Sequence, residues 1–193
     1  TALIWGGELW VGVWPWAELW RYNADCDQWF FVQRMFSQPP VSDDPVHPWE
    51  KECREAGLVI NAWGQRLTSL LPYGDSLLAA TSTKGPMKDE QRPAFISDEV
   101  LAQYGAVTRL RTPGCVSAPV NWQGDTVELQ FTITRQEMLI QQAGKPLARA
   151  PLAPELADLL QSAGGLAEVT WGAGVYGPFG GGEVSGEVVA TQH

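Results

Sequence analysis

"WGGELWVGVW", residues 5–14, is the stretch on which the reading of this chain turns. Its apolar residues alternate on both sides of a glycine pair. Leu3 and Trp5 fall on one side of the first arm and Ala2 and Ile4 on the other, and Leu9, Val11 and Val13 then alternate with Trp10, Gly12 and Trp14. That is the period-2 signature of a β-hairpin, and Gly6 and Gly7 supply the positive φ angles a two-residue hairpin turn needs. Beyond Pro15, "AELWRYNADCDQWFFVQRM" nearly fits a helical period through Trp16, Leu19, Trp20 and Tyr22, and fits two strands as well. The cluster Asn23, Asp25 and Asp27 favours the strands. Such short polar side chains compete with helix hydrogen bonds and stabilise turns. The expectation is therefore a strand "ELWRY", a turn "NADCD" and a strand "QWFFVQRM".

The same kind of pattern returns at "YGDSLLAATS", residues 73–82. Between the two copies, "SQPPVSDDPVHPWEKECREAG" is Pro-rich and acidic, with a helix expected from Pro48 to Ala56 and stopped by Gly57. "LVINAWGQRLTSLLPYGDSLLAATSTKG" reads as three short strands split at Gly64, at Gly74 with Asp75, and at Gly85. "PMKDEQRPAF" reads as a polar linker. In "SDEVLAQYG", Ser97 is the expected N-cap and Gly105 the stop of a second short helix. Farther on, Val127, Leu129, Phe131 and Ile133 alternate as a strand, and "MLIQQAGKPLARA" is two strands turning at Gly144 and Lys145. "APELADLLQSAGG" is a third helix, and "AEVTWGAGVYGPFGGGEVSGEVVA" a closing strand, glycine-rich turn and strand.

Composition agrees with a β-rich globular chain. Its 193 residues are 45% hydrophobic and 18% charged, with 20 Gly, 14 Pro and 10 Trp, enough to bury a core in one large or two small domains. Thirteen Lys and Arg against 22 Asp and Glu give a net charge of -9, which repels polyanions at long range. Nucleic acid and anionic membrane are thus disfavoured as partners. With no apolar run of about 18 residues and no charged-then-apolar leader, nothing is expected to span a membrane. A first residue Thr1 fits removal of an initiator Met or a processed end. Cys26, Cys53 and Cys115 lack the spacing of a zinc or redox pair. They leave open free thiols or a Cys26–Cys53 bridge with one free thiol, and localisation stays open with them, cytoplasmic or extracytoplasmic.

An aromatic residue, Gly, Gly or Asp, then Leu and a run ending in small or β-branched residues, beside a "WRY" strand and a Trp after an acidic turn, resembles β-propeller blades. Here "LIWGGELWVGVWPWAELWRYNADCDQW" is similar to one blade and "RLTSLLPYGDSLLAATSTKG" to the inner strands of the next, over residues 1–87. A blade takes roughly 40 to 50 residues and the smallest propellers have about four. The resemblance therefore implies that another chain or further sequence completes the fold. Residues 88–193 resemble a laminin-G or lectin-type β-sandwich. No catalytic or calcium-binding set carries over from either. The expected fold is mostly β, antiparallel hairpins with two or three short helices, as a propeller-blade-like region 1–87 and a β-sandwich-like region 88–193.

Several residues are candidates for chemistry or recognition. Thr1 at a free N-terminus has the layout of a nucleophile whose own α-amine is the base, although the first cation on the following strands is Arg21. His47, with Asp43, Asp44 and Glu50 near it, has the composition of a metal or base site and equally of a solvated loop. Acidic neighbours raise the thiol pKa of Cys53 and argue against a nucleophile. "GPFGGGEVSG" lacks the strand-then-helix context of a phosphate loop. Six tryptophans, Trp5, Trp10, Trp14, Trp16, Trp20 and Trp29, crowd into 25 residues. Core packing accounts for three or four of them, and Trp14 and Trp16, flanking Pro15 at a strand end, are the ones expected at the surface. "TSTKG" sets Lys84 beside hydroxyls at a strand end, a place suited to an anionic group.

The candidate binding set is Trp14, Trp16, Trp20, Trp63 and Lys84; Thr1 is the candidate catalytic residue. No metal or cofactor is expected. The function read from these features is a non-catalytic β-rich binding module for a glycan or a protein, as part of a larger assembly. Two alternatives are an N-terminal-threonine hydrolase using Thr1 and an acidic inhibitor or immunity-type protein that binds a basic enzyme.

Overall fold

The structure is a computed structural model that describes residues 1–43, 46–85, 89–112, 114–121, 123–124, 126–162, 173–174 and 177–178. It is mostly antiparallel β. Among the described residues, ten strands form three open sheets, with three short α-helices and a further two-residue strand pair at Ala173–Gly174 and Gly177–Pro178. The chain divides into two compact units, residues 1–71 with 77–110, and residues 72–76 with 111–193.

The first unit opens with a four-stranded meander, β1 (Ala2–Trp5), β2 (Glu8–Gly12), β3 (Glu18–Asn23) and β4 (Gln28–Arg34), each strand hydrogen-bonded to the next. Gly6 and Gly7, at φ 60° and 80°, make the first turn. The second turn is held by Asn23, whose side-chain oxygen accepts from the backbone N–H of Asp25 at 2.9 Å. This is the side-chain turn that competes with a helix at this position.

Register sorts the sheet into two faces. Ile4, Leu9, Tyr22 and Trp29 are successive partners across the four strands, as are Ala2, Val11, Trp20 and Phe31. All of these share one face, with Ile4 at 45%, Trp29 at 51% and Phe31 at 52% exposure. Trp10, Gly12 and Leu19 lie on the other face and are buried. Trp10 meets Trp5 edge-on at 5.8 Å and donates its indole N–H to the Trp5 carbonyl at 3.0 Å. Gly12 sits against Leu67, so close that a Cβ there would lie 2.6 Å from its Cδ2.

After α1 (Glu50–Glu55), which Gly57 ends at φ 65°, the expected strand at 58–63 is instead a 3-10 turn over Ile60–Trp63. The backbone N–H groups of Ala62 and Gly64 donate back to the carbonyls of Val59 and Asn61. Leu58 and Val59 stay exposed, so no partner strand rewards extension there. The second sheet follows as β5 (Arg66–Tyr73), β6 (Ser76–Ser82) and β7 (Val107–Arg111), in that order side by side. Between β6 and β7 comes α2 (Asp98–Leu101), whose N-cap Ser97 accepts from the Val100 N–H at 3.2 Å.

The core of this unit gathers Trp5, Trp10, Leu19, Phe36, Trp49, Trp63, Leu67, Leu77, Ile96, Val100 and Tyr104. Burial pushes the Tyr104 phenol up to about 12, and its O–H donates to the Trp63 carbonyl at 2.9 Å. The same phenol titrates near 10 in an unfolded chain, so the unfolded state loses its proton first. The stability contribution of Tyr104 is thus fully present below about pH 10 and is lost as pH rises through about 12. Chemical denaturation at pH 9 and pH 11 is expected to show this loss, and Tyr104→Phe to flatten the profile between those values. An unchanged slope in the variant would mean that another group carries the alkaline transition.

The second unit is built on β8 (Leu129–Ile133), β9 (Glu137–Gln142) and β10 (Lys145–Pro151), an antiparallel sheet in which β9 is central. Its hairpin turns at Ala143 and Gly144, at φ 47° and 73°, one residue earlier than expected. Met138, Ala150 and Leu152 form its core, with Val116, Leu156 and Ala157 packed against them; the last two lie on α3 (Pro154–Ser162). Most of the closing segment from residue 163, including "GPFGGGEVSG" beyond Pro178, lies outside the described residues. Cys26 and Cys53 are both unbridged thiols, which removes the Cys26–Cys53 disulfide. Burial pushes the Cys53 thiol up, with the Glu52 charge adding to it.

Candidate functional site

Trp14 stands just past the end of β2, where the chain leaves the sheet. Gln65 fixes that departure. Its N–H donates to the Pro15 carbonyl at 2.7 Å, and its carbonyl accepts from the Ala17 N–H at 3.1 Å. Its buried side-chain amide donates to the Gln38 carbonyl. Residues 14–17 are thereby held beside the start of β5. Because β5 and β6 form a hairpin, the start of one and the end of the other lie at the same end of their sheet, which brings Arg66 and Lys84 to Trp14. Together these strand ends enclose a cavity of about 400 Å³, open to solvent, lined among the described residues by Thr1, Gly12, Val13, Trp14, Arg66, Leu67, Thr68 and Lys84.

Trp14 is 43% exposed, yet its ring is held. The His47 ring meets it edge-on at 4.9 Å, and the Lys84 ammonium lies 5.6 Å from the ring centroid in a cation–π contact. His47 Nδ1 is 2.9 Å from the Pro48 carbonyl, so that nitrogen carries the proton and donates. Gly64 makes the space for both rings. A Cβ there would lie 2.5 Å from Trp14 Nε1 and 2.7 Å from His47 Cε1 and Nε2. The Gly64 backbone, at φ −59° and ψ 141°, suits alanine, so Gly64→Ala acts through this contact alone. It is expected to push the Trp14 indole outward, raising iodide quenching of tryptophan fluorescence while the melting temperature changes little. Unaltered quenching would show that the ring does not depend on Gly64.

The other sequence candidates are placed as follows. Thr1 lines the cavity, with its terminal ammonium donating to the Gly12 carbonyl at 3.1 Å. The described lining offers it no carboxylate and no imidazole. Trp16 is half-buried, donates to the Val46 carbonyl at 3.1 Å and lies under the Arg34 guanidinium, whose carbon is 5.3 Å from the ring centroid. Burial lowers the Arg34 pKa, with Glu18 acting the other way. Trp20 belongs to the exposed sheet face, meeting Phe31 edge-on at 5.2 Å and donating to Glu18 Oε2 at 2.9 Å. Trp63 is 2% exposed, a core residue with no face left for a ligand. Trp14 and Lys84 are thus the two binding candidates that come together.

Arg66, Thr68, Gly64 and the Trp14–His47 contact were not singled out from sequence. One signal pointed to Arg66: it begins a strand whose hairpin partner ends just before Lys84. Among the described residues no group of three His, Cys, Asp or Glu side chains is placed to hold a metal, His47 included, and no helix is long and apolar enough to cross a membrane. No family model, curated protein or solved structure matches the chain.

Proposed function

We propose that this chain is a non-catalytic binding module that takes a carbohydrate in the cleft at Trp14. The observation that carries the reading is one half-exposed indole, held by its neighbours, in an open cleft whose other described polar residues are Thr1, Arg66, Thr68 and Lys84. An apolar ring edge or face beside a few hydrogen-bonding groups suits a sugar, which presents C–H faces and hydroxyls together. An open, polar cleft also suits a chain-like ligand lying across it better than an enclosed apolar one. The test is a panel of neutral and acidic oligosaccharides against the wild type and Trp14→Ala. Binding that the variant loses supports the reading, and a panel with no binder overturns it.

A second reading, recognition of a protein, is favoured by a different observation. Ile4, Trp20, Tyr22, Trp29 and Phe31 make one apolar sheet face that is widely exposed. A four-stranded meander with an exposed aromatic face resembles a propeller blade, whose faces are covered by its neighbours. On this reading a sheet from another chain covers the aromatic face. Light scattering at rising concentration supports it if the chain self-associates and Trp29→Ser with Phe31→Ser abolishes the association. A monomer that captures no partner from its native source speaks against it.

A further inference from the structure

Resting on the carbohydrate reading, we propose that the cleft selects sugars bearing an anionic substituent, a carboxylate or a sulfate, held between Arg66 and Lys84. The chain carries a net charge of -9, yet both charged side chains in the described lining are cations. Their situation differs from that of four other arginines. Arg21, Arg54, Arg92 and Arg149 each contact a carboxylate, on Glu8, Glu50, Asp98 and Glu137 in turn. Among the described residues no carboxylate forms an ion pair with Arg66 or Lys84.

Lys84 instead rests on the indole at 5.6 Å, which keeps the ammonium beside the surface a sugar ring would touch. Among the described residues no hydrogen bond engages its three N–H donors, which a ligand can take. The Arg66 guanidinium adds a planar donor fork that matches carboxylate and sulfate oxygens. Thr68 gives its hydroxyl proton to the Ala80 carbonyl at 3.0 Å, so its oxygen remains an acceptor for a sugar hydroxyl. The lining therefore offers donors where an anion would sit and an acceptor where a neutral hydroxyl would.

Net charge sets the density of anionic groups that the cleft tolerates. Repulsion from the whole chain acts over a Debye length, about 8 Å at physiological salt, whereas contact with two cations is screened far less. A ligand with one or two anionic groups gains the contacts and escapes most of the repulsion. A densely charged polyanion such as nucleic acid meets both.

The experiment is calorimetry with the full chain against three oligosaccharides of equal length: a neutral glucan, its glucuronic acid counterpart and its sulfated counterpart. At least one acidic ligand is expected to bind tenfold or more tighter than the neutral one. Lys84→Met, which keeps the apolar stem, and Arg66→Gln are each expected to cut that preference, the ratio of acidic to neutral affinity, at least threefold. Lys84→Arg and Arg66→Lys should retain most of it. A preference for the carboxylate or for the sulfate alone supports the proposal and identifies the group. Equal binding of neutral and acidic sugars, or a preference that survives both charge-removing variants, overturns the proposal and leaves the carbohydrate reading standing. Binding of none of the three overturns the carbohydrate reading, and the proposal falls with it. Thermal melts of the variants separate either result from misfolding.

Discussion

Replacing Trp63 with alanine is expected to destabilise the protein by about 3–5 kcal/mol, the usual cost of removing a fully packed tryptophan. The indole is 2% exposed, lies edge-on to Tyr104 at 6.5 Å, and has Gly85 close against it, where a Cβ would stand 3.0 Å from its Cε2. Two of its neighbours cannot fill the void. Gly85 has no side chain, and Tyr104 is tied through its hydroxyl to the Trp63 carbonyl. Since a typical domain is stable by only about 5–15 kcal/mol, the variant should sit near its unfolding threshold. Urea denaturation is the check, with a lower midpoint at an unchanged slope expected. Trp63→Phe should recover part of the loss by refilling volume. A shift below about 1 kcal/mol for the alanine variant would contradict the packing described for this core.

The tryptophans that flank Pro15 should separate cleanly when substituted singly. Trp14→Ala is expected to weaken ligand binding by about 2–4 kcal/mol, the range of an aromatic hot spot, which is roughly thirty-fold to nearly a thousandfold. Its effect on melting should be small, because the ring is 43% exposed and its partner His47 keeps its own hydrogen bonds to the Pro48 carbonyl and to Glu50. Trp16→Ala should do the reverse. It removes the hydrogen bond to the Val46 carbonyl and bares the Arg34 guanidinium, a loss of about 1–3 kcal/mol in stability, with little effect on affinity while the chain is folded. Binding titrations run beside thermal melts distinguish the two. Should Trp16→Ala cost the affinity and Trp14→Ala the stability, the placement of the cleft would be mistaken.

These results bear on how a tryptophan-dense sequence is interpreted. Six tryptophans within 25 residues suggest a recognition surface, but burial divides them. Trp5 and Trp10 are core, Trp14 and Trp29 are exposed, and Trp16 and Trp20 lie between. The exposed pair belongs to different surfaces, a polar cleft and an apolar sheet face, and each surface suits a different kind of partner.

Local chemistry determined much of this architecture without help from the tertiary fold. The period-2 alternation of Leu3–Trp14 and the glycine pair at 6–7 specify a hairpin, and the Asn23 side chain specifies the next turn rather than a helix. Ser97 likewise marks a helix start by the hydrogen bond it accepts, whereas that helix ends at Leu101 under an Ala102 C-cap, short of the stop expected at Gly105. Those features act over a few residues, so a few residues suffice to show them. The 3-10 turn at Ile60–Trp63 was not legible. "LVINAW" has strand composition, and only the lack of a partner strand leaves it coiled, because strand propensity reflects packing against neighbours more than backbone preference. The cleft was half legible. Trp14 and Lys84 advertise strand ends, but that both belong to one site depends on Gln65 bridging residues 15–17 to β5 and on Gly64 yielding room for two rings. The fate of Trp63 shows the same limit from the other side, since an indole at a strand or turn end is a binding group or a core group according to what packs over it. Contacts between residues tens of positions apart decide that, and they exist only once the chain has folded.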